Sequence, residues 1–139
     1  MKTLFLTIAL TLVSTLGFAQ DNKGQTITVT VENFLSNDGK AVISLHTSDT
    51  FMKGAGVQNL EGKIIDGKAT FTFENVASGD YAIMVLHDKN ENNRMDFEEN
   101  GMPKESYGTS NNVRSFGPPV YSDSKFEVKD EDLKLTIRL

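Results

Sequence analysis

The sequence predicts an all-β protein: a single antiparallel β-sandwich of about seven strands with one long loop. Three observations predict it. Short runs of alternating apolar and polar residues recur along the chain with turn residues between them. No segment keeps a helical apolar period that would support parallel crossovers. The 139 residues leave about one domain once an N-terminal leader is set aside. A closed barrel is the second architecture that such a pattern allows.

The leader comes first in the chain. Lys2 is the only charge before an apolar run from Leu4 to Phe18, and Gly17-Phe18-Ala19 supplies small residues where a signal peptidase cuts. The run is shorter than the roughly 20 apolar residues that a membrane span requires. The expectation is a signal peptide over residues 1–19 and a β-sandwich domain over 20–139. Export to the periplasm or beyond the cell follows, with no membrane span after cleavage. Cysteine is absent, which excludes disulfides, thiolate metal clusters, a thiol nucleophile and a lipidated N-terminal cysteine. The formal net charge is −5 and grows more negative when Lys2 leaves, so nucleic acid is not an expected partner.

Ile27, Val29 and Val31 alternate with threonines in the first strand, and Asn37-Asp38-Gly39 then offers a turn able to reach positive φ. Lys40–Thr47 is expected to return as its hairpin partner. Residues 48–60 keep no period and read as a connection. Ile64-Ile65 and Ala69, Phe71 and Phe73 flank Asp66-Gly67, the strongest short hairpin signal in the chain. Ser78-Gly79-Asp80 launches Tyr81–Leu86, whose unbroken apolarity predicts burial on both faces. Lys125–Val128 and Leu133–Leu139 complete the set, the last with Leu133, Leu135, Ile137 and Leu139 on one face.

Phe73–Val85, with its aromatic residue ahead of a Gly-x-Tyr strand, is similar to transthyretin-like and carboxypeptidase-regulatory-like sandwiches. A more specific series follows: His87-Asp88-Lys89-Asn90-Glu91-Asn92, Asp96, Gly101-Met102-Pro103-Lys104-Glu105, Tyr107-Gly108, Ser110-Asn111-Asn112 and Phe116-Gly117-Pro118-Pro119. This series resembles the bacterial domain of unknown function 2141, over essentially the whole chain after the leader. The resemblance implies export, a small β-sandwich and an acidic Asp/Asn loop, and brings no activity. Where that family usually has Asn-Gly, this chain has Asn92-Asn93.

The same residues have a chemistry of their own. Asp88, Asn90, Asn92, Asp96 and Glu99 occupy positions one, three, five, nine and twelve of a calcium loop, and Arg94 offers its backbone carbonyl at position seven. Position six wants glycine, and Asn93 is the next best residue for a left-handed turn. The surroundings are not those of a helix-loop-helix hand. The alternative is a solvated turn whose Asp and Asn side chains bond their own backbone.

His87, beside Asp88 and upstream of Glu105, raises the possibility of a hydrolase with its site in residues 87–119. No Gly-x-Ser-x-Gly elbow or zinc-spaced histidine pair supports it, and a structural His87 is the expectation. Within residues 87–119, one reading is a ligand surface of His87, Glu105, Asn111 and Asn112 with Tyr107 and Phe116 stacking on the ligand; the other folds Tyr107 and Phe116 over Tyr81–Leu86 as a lid. The apolarity of that strand on both faces favours the lid. The leading expectation for function is a secreted, non-catalytic binding or interaction module, its acidic loop stabilised by calcium, its partner an envelope protein or a glycan.

Overall fold

A computed structural model of the chain describes residues 23–139; the expected signal peptide lies outside the described residues. Strands β1 (Gln25–Glu32), β4 (Ala69–Val76) and β8 (Leu133–Arg138) form one sheet in the order β4-β1-β8. Strands β2 (Lys40–His46), β3 (Gln58–Gly62), β5 (Gly79–Asp88) and β6 (Tyr107–Thr109) form the other, in the order β3-β2-β5-β6, and β7 (Phe126–Val128) also pairs with β5. A 3₁₀ turn over Ser110–Asn112 and a short helix α1 (Tyr121–Ser124) link β6 to β7. Among the described residues no helix is long and apolar enough to cross a membrane.

The two sheets enclose one core. Ile27, Val29 and Val31 of β1 and Phe71 and Phe73 of β4 face Ile43 and Leu45 of β2 and Ile83 and Val85 of β5. Alternation sends the threonines of β1 outward. The same alternation on β8 buries Ile137 and exposes Lys134, Thr136 and Arg138. These strands follow the pattern read from the sequence.

Pairing departs from it in three places. The β1–β2 hairpin does not form, because β1 has both edges occupied, by β4 and by β8. The intervening segment instead crosses from sheet to sheet over the end of the core. Asn33 turns the chain with φ 66, Phe34 buries its ring, and its amide donates to Gly67 O at 3.1 Å. Second, β1 and β8 run parallel. Their connection is nearly the entire domain, which satisfies the long crossover that parallel neighbours need without any helix between them. Third, the connection read over 48–60 ends in a strand, β3, whose half-polar sequence Gln-Asn-Leu-Glu-Gly carries no strong period.

The Asp66-Gly67 turn forms as read, with φ 51 and 72 and reciprocal backbone bonds between Ile65 and Lys68. Ile64-Ile65 adds only a single bridge, not a strand. Two glycines hold the site region tight. Gly39 has φ 69, and a Cβ there would stand 2.2 Å from Asp88 O. At Gly108 a Cβ would meet Arg138 O at 3.0 Å, so β6 approaches β8 across the sandwich only because the residue is glycine.

Candidate functional site

The acidic loop begins inside the fold. Asp88, the last residue of β5, is fully buried, and its carboxylate accepts from the amides of Asn92 at 3.1 Å and Asn93 at 2.8 Å. Those two bonds wind the chain around the carboxylate. Asn93 adopts φ 63, the left-handed turn expected at position six. Further amides repeat the device: Asn92 N donates to Asn90 Oδ1, and Arg94 N to Asn92 Oδ1. Lys40, opposite Asp88 in register, reaches both Glu61 and Asn93 Oδ1 at 2.6 Å. Its pKa is raised, first by the Glu61 hydrogen bond and further by the charges of Glu61, Asp88 and Glu91.

Asp96 closes the turn, accepting from Asn90 Nδ2 at 2.7 Å and from Asn92 Nδ2 at 2.9 Å. These amide donors, with smaller help from Arg94 and Lys104, hold its carboxyl below the usual carboxylate range. Arg94 folds back so that Nε lies 3.8 Å from Asp96 Oδ1.

Glu99 does not join this group. It is exposed at the tip of a tight reversal in which Phe97 bridges to Pro103 and Glu98 N donates to Met102 O. That reversal brings Glu105 back instead. Glu105 is buried, and its two carboxylate oxygens accept from Lys89 N at 3.1 Å and Asp96 N at 3.3 Å. The count along the chain selects Glu99, whereas the folded path places Glu105 against both ends of the loop.

The oxygen groups fit a hard cation in kind: three carboxylates, two amide oxygens and the Arg94 carbonyl. Among the described residues, no three imidazoles or carboxylates approach closely enough to hold a metal by themselves. The two amides would therefore have to turn their oxygens inward. Oxygen and nitrogen of a carboxamide exchange places by a half-turn of the group.

His87 is a structural residue. It is 1% exposed, stacks edge-on against Phe34 at 5.2 Å, and donates from Nε2 to Asp38 O at 2.8 Å. It pins the β1–β2 crossing, and its burial among the described residues removes it from the ligand surface.

The lid expectation also changes hands. Phe116 is fully exposed at 111% and covers nothing. Ala82 of β5 is buried opposite His46 in register, and Phe51 packs edge-on against His46 and Tyr121 against Phe51. Burial lowers the His46 pKa. Asn111 and Asn112 are likewise withdrawn from ligand duty. Both have positive φ; Asn111 Nδ2 donates to Asp123 O and Lys125 O. Asn112 donates to Thr136 O and accepts from Arg138 N, so its amide stands in for a strand partner along the edge of β8.

A cleft of about 310 Å³ lies between β6 and the segment 113–119. Tyr107 and Phe116 line it together with Arg114 and Arg138, which sequence reasoning missed. Their signal was charge alone: two arginines flanking a loop in an acidic chain. A second cleft opens over Asn90, Asp96 and Glu105.

Three comparisons bear on this site and fold. The family model described as "Uncharacterized protein conserved in bacteria (DUF2141)" matches residues 29–136. A search of curated proteins returns no match. Among solved structures, a pilus-presented adhesin is similar over 83% of this chain and 26% of its own, at 12% identity and a TM-score of 0.27. The chain thus spans about a quarter of that adhesin, and the likeness carries no argument about binding.

Proposed function

The chain belongs to the bacterial DUF2141 family, and from that premise we propose that it is an exported, non-catalytic β-sandwich module that binds an envelope protein or glycan. One observation carries this reading. The groups that a hydrolase would use in residues 87–119 are spent on the backbone: His87 on Asp38 O, Asp88 on two amides, Glu105 on two more. Such bonds make the loop a rigid display element. Retention on envelope glycan without release of new reducing ends supports the module, while hydrolysis of that glycan overturns it in favour of the hydrolase.

Calcium is part of the same proposal. Asp88 and Glu105 are buried carboxylates, and among the described residues neither has a cationic partner within ion-pair distance. A hard cation held by Asp88, Asn90, Asn92, the Arg94 carbonyl, Asp96 and Glu105 would compensate them. With two neutral amides in the set, the expected dissociation constant is on the order of 10⁻⁴ to 10⁻³ M. A few millimolar calcium then adds about 1 to 2 kcal/mol by mass action. Melting in chelator and in calcium tests it on the natural chain, Glu99→Gln and Glu105→Gln. The expected result is a calcium-dependent rise that survives Glu99→Gln and disappears in Glu105→Gln. Identical melts of the natural chain in both buffers, with no heat of binding at millimolar calcium, overturn the metal; loss of the rise in Glu99→Gln alone returns the closing position to Glu99.

A further inference from the structure

The cleft beside β6 is charged unlike the rest of the molecule. The chain as a whole carries a formal charge of −5, yet among the described residues no Asp or Glu side chain lines this cleft, and Arg114 and Arg138 both do. Arg138 shares its guanidinium with Glu32 at 3.6 Å. Arg114 is exposed, and among the described residues it has no ion pair. A guanidinium without a carboxylate of its own is free to take one from a ligand, in a two-bond geometry that a lysine does not offer.

The apolar component is also unpartnered. Phe116 is 111% exposed, with its ring free to lie against a ligand, and Tyr107, which also lines the cleft, is half-buried. Ser124 also lines the cleft, and among the described residues its buried hydroxyl has no hydrogen-bond partner. A volume of about 310 Å³ sits at the small end of ligand sites, suited to a single ring with its substituents. The combination of an exposed aromatic ring and an arginine without an ion pair suits a ring with apolar C–H faces and one anionic group.

We propose that this cleft binds an anionic saccharide ring, its carboxylate or phosphate on Arg114 and Arg138 and its ring face against Phe116. This deepens the module reading above and rests on it, since it names the ligand class of that module. The acidic loop and its calcium are not required for it.

The test is calorimetric titration of the protein, expressed with its leader and recovered as the host processes it. The probes are a uronic-acid oligosaccharide, the matching neutral oligosaccharide, a hexose phosphate and inorganic phosphate. The expected order is anionic sugars above both the neutral oligosaccharide and inorganic phosphate, the uronate and the sugar phosphate separating the two sources of charge. Arg114→Ala should weaken the anionic sugars about tenfold, the loss of one charge-assisted contact, and bring them level with the neutral one. Phe116→Ala should weaken acidic and neutral sugars alike. Both positions are exposed, so melting should not change. Binding of inorganic phosphate as tight as the sugar phosphate overturns the ring, and equal binding of neutral and acidic oligosaccharides overturns the anion. If the natural chain is retained on envelope glycan and both variants are retained equally, the module stands and this cleft is not its site. If the oligosaccharide is cut during titration, the module reading itself fails.

Discussion

His46 shows how one side chain turns its surroundings into a measurable property. It is 3% exposed, with Nδ1 3.1 Å from Thr50 Oγ1 and its ring edge-on to Phe51. Burial lowers its pKa below the ordinary 6.5, so the folded chain keeps the ring neutral at a pH where the unfolded chain takes up a proton. Stability from this source is full above the unfolded value and falls as pH drops below it, because the unfolded state then binds more protons. The melting temperature is therefore expected to decline between pH 7 and pH 5, and His46→Gln should flatten that limb. A decline of equal slope in the variant would assign it to other groups. Asp96 acts lower on the scale. Its carboxyl is depressed by Asn90 and Asn92, so its contribution is present above the ordinary carboxylate pKa and lost as pH falls through the folded value.

At the scale of the element, the β1–β2 crossing decides where the acidic loop begins. Phe34 plugs the end of the core, Asn37 Oδ1 accepts from Gly67 N, and Asp38 O accepts from His87 Nε2. A single loop thus ties the Asp66-Gly67 turn to the end of β5. Phe34→Ala removes a buried ring and is expected to cost about 3 to 5 kcal/mol. Its neighbour Leu35 is 83% exposed, and Leu35→Ala should stay within about 0.5 kcal/mol. Denaturant unfolding of the pair checks this; equal losses would mean that the crossing is not anchored by Phe34. The turn residues of these elements were legible in advance. Asp66-Gly67 and Asn93 reach positive φ as their chemistry allows. The mispaired hairpin was not, since alternation says which face a strand buries and not which neighbour it bonds.

For the whole molecule, the leader and the domain make a joint expectation. The positive start, apolar run and Ala19 predict that the exported protein begins at Gln20, which intact-mass spectrometry of secreted material reads directly. A chain retaining Met1 and anchored in the membrane would refute it. The described residues form two sheets around one core, and their loops gather groups from distant parts of the chain. Glu105, carried back by the Phe97–Pro103 reversal, bonds the amides of Lys89, next to Asp88, and of Asp96. Arg114 and Arg138 line one cleft, and Asn112 ties the loop ahead of Arg114 to the edge of β8.

The sequence by itself determined what local physics controls. Period-two alternation placed Ile27, Val29, Val31 and Ile137 in the core, and turn chemistry placed Asp66-Gly67. The spacing from Asp88 to Asp96 produced a loop wound on its own carboxylates. Tertiary structure alone decided that β1 pairs with β4 and β8, that Phe51 packs against His46 and Tyr121 against Phe51, and that Glu105 rather than Glu99 closes on the loop. The reason is the range of the interactions. Backbone propensity and side-chain alternation act over a few residues, whereas these contacts depend on competition for strand edges and on chain reversals that bring together residues with no fixed spacing in the sequence.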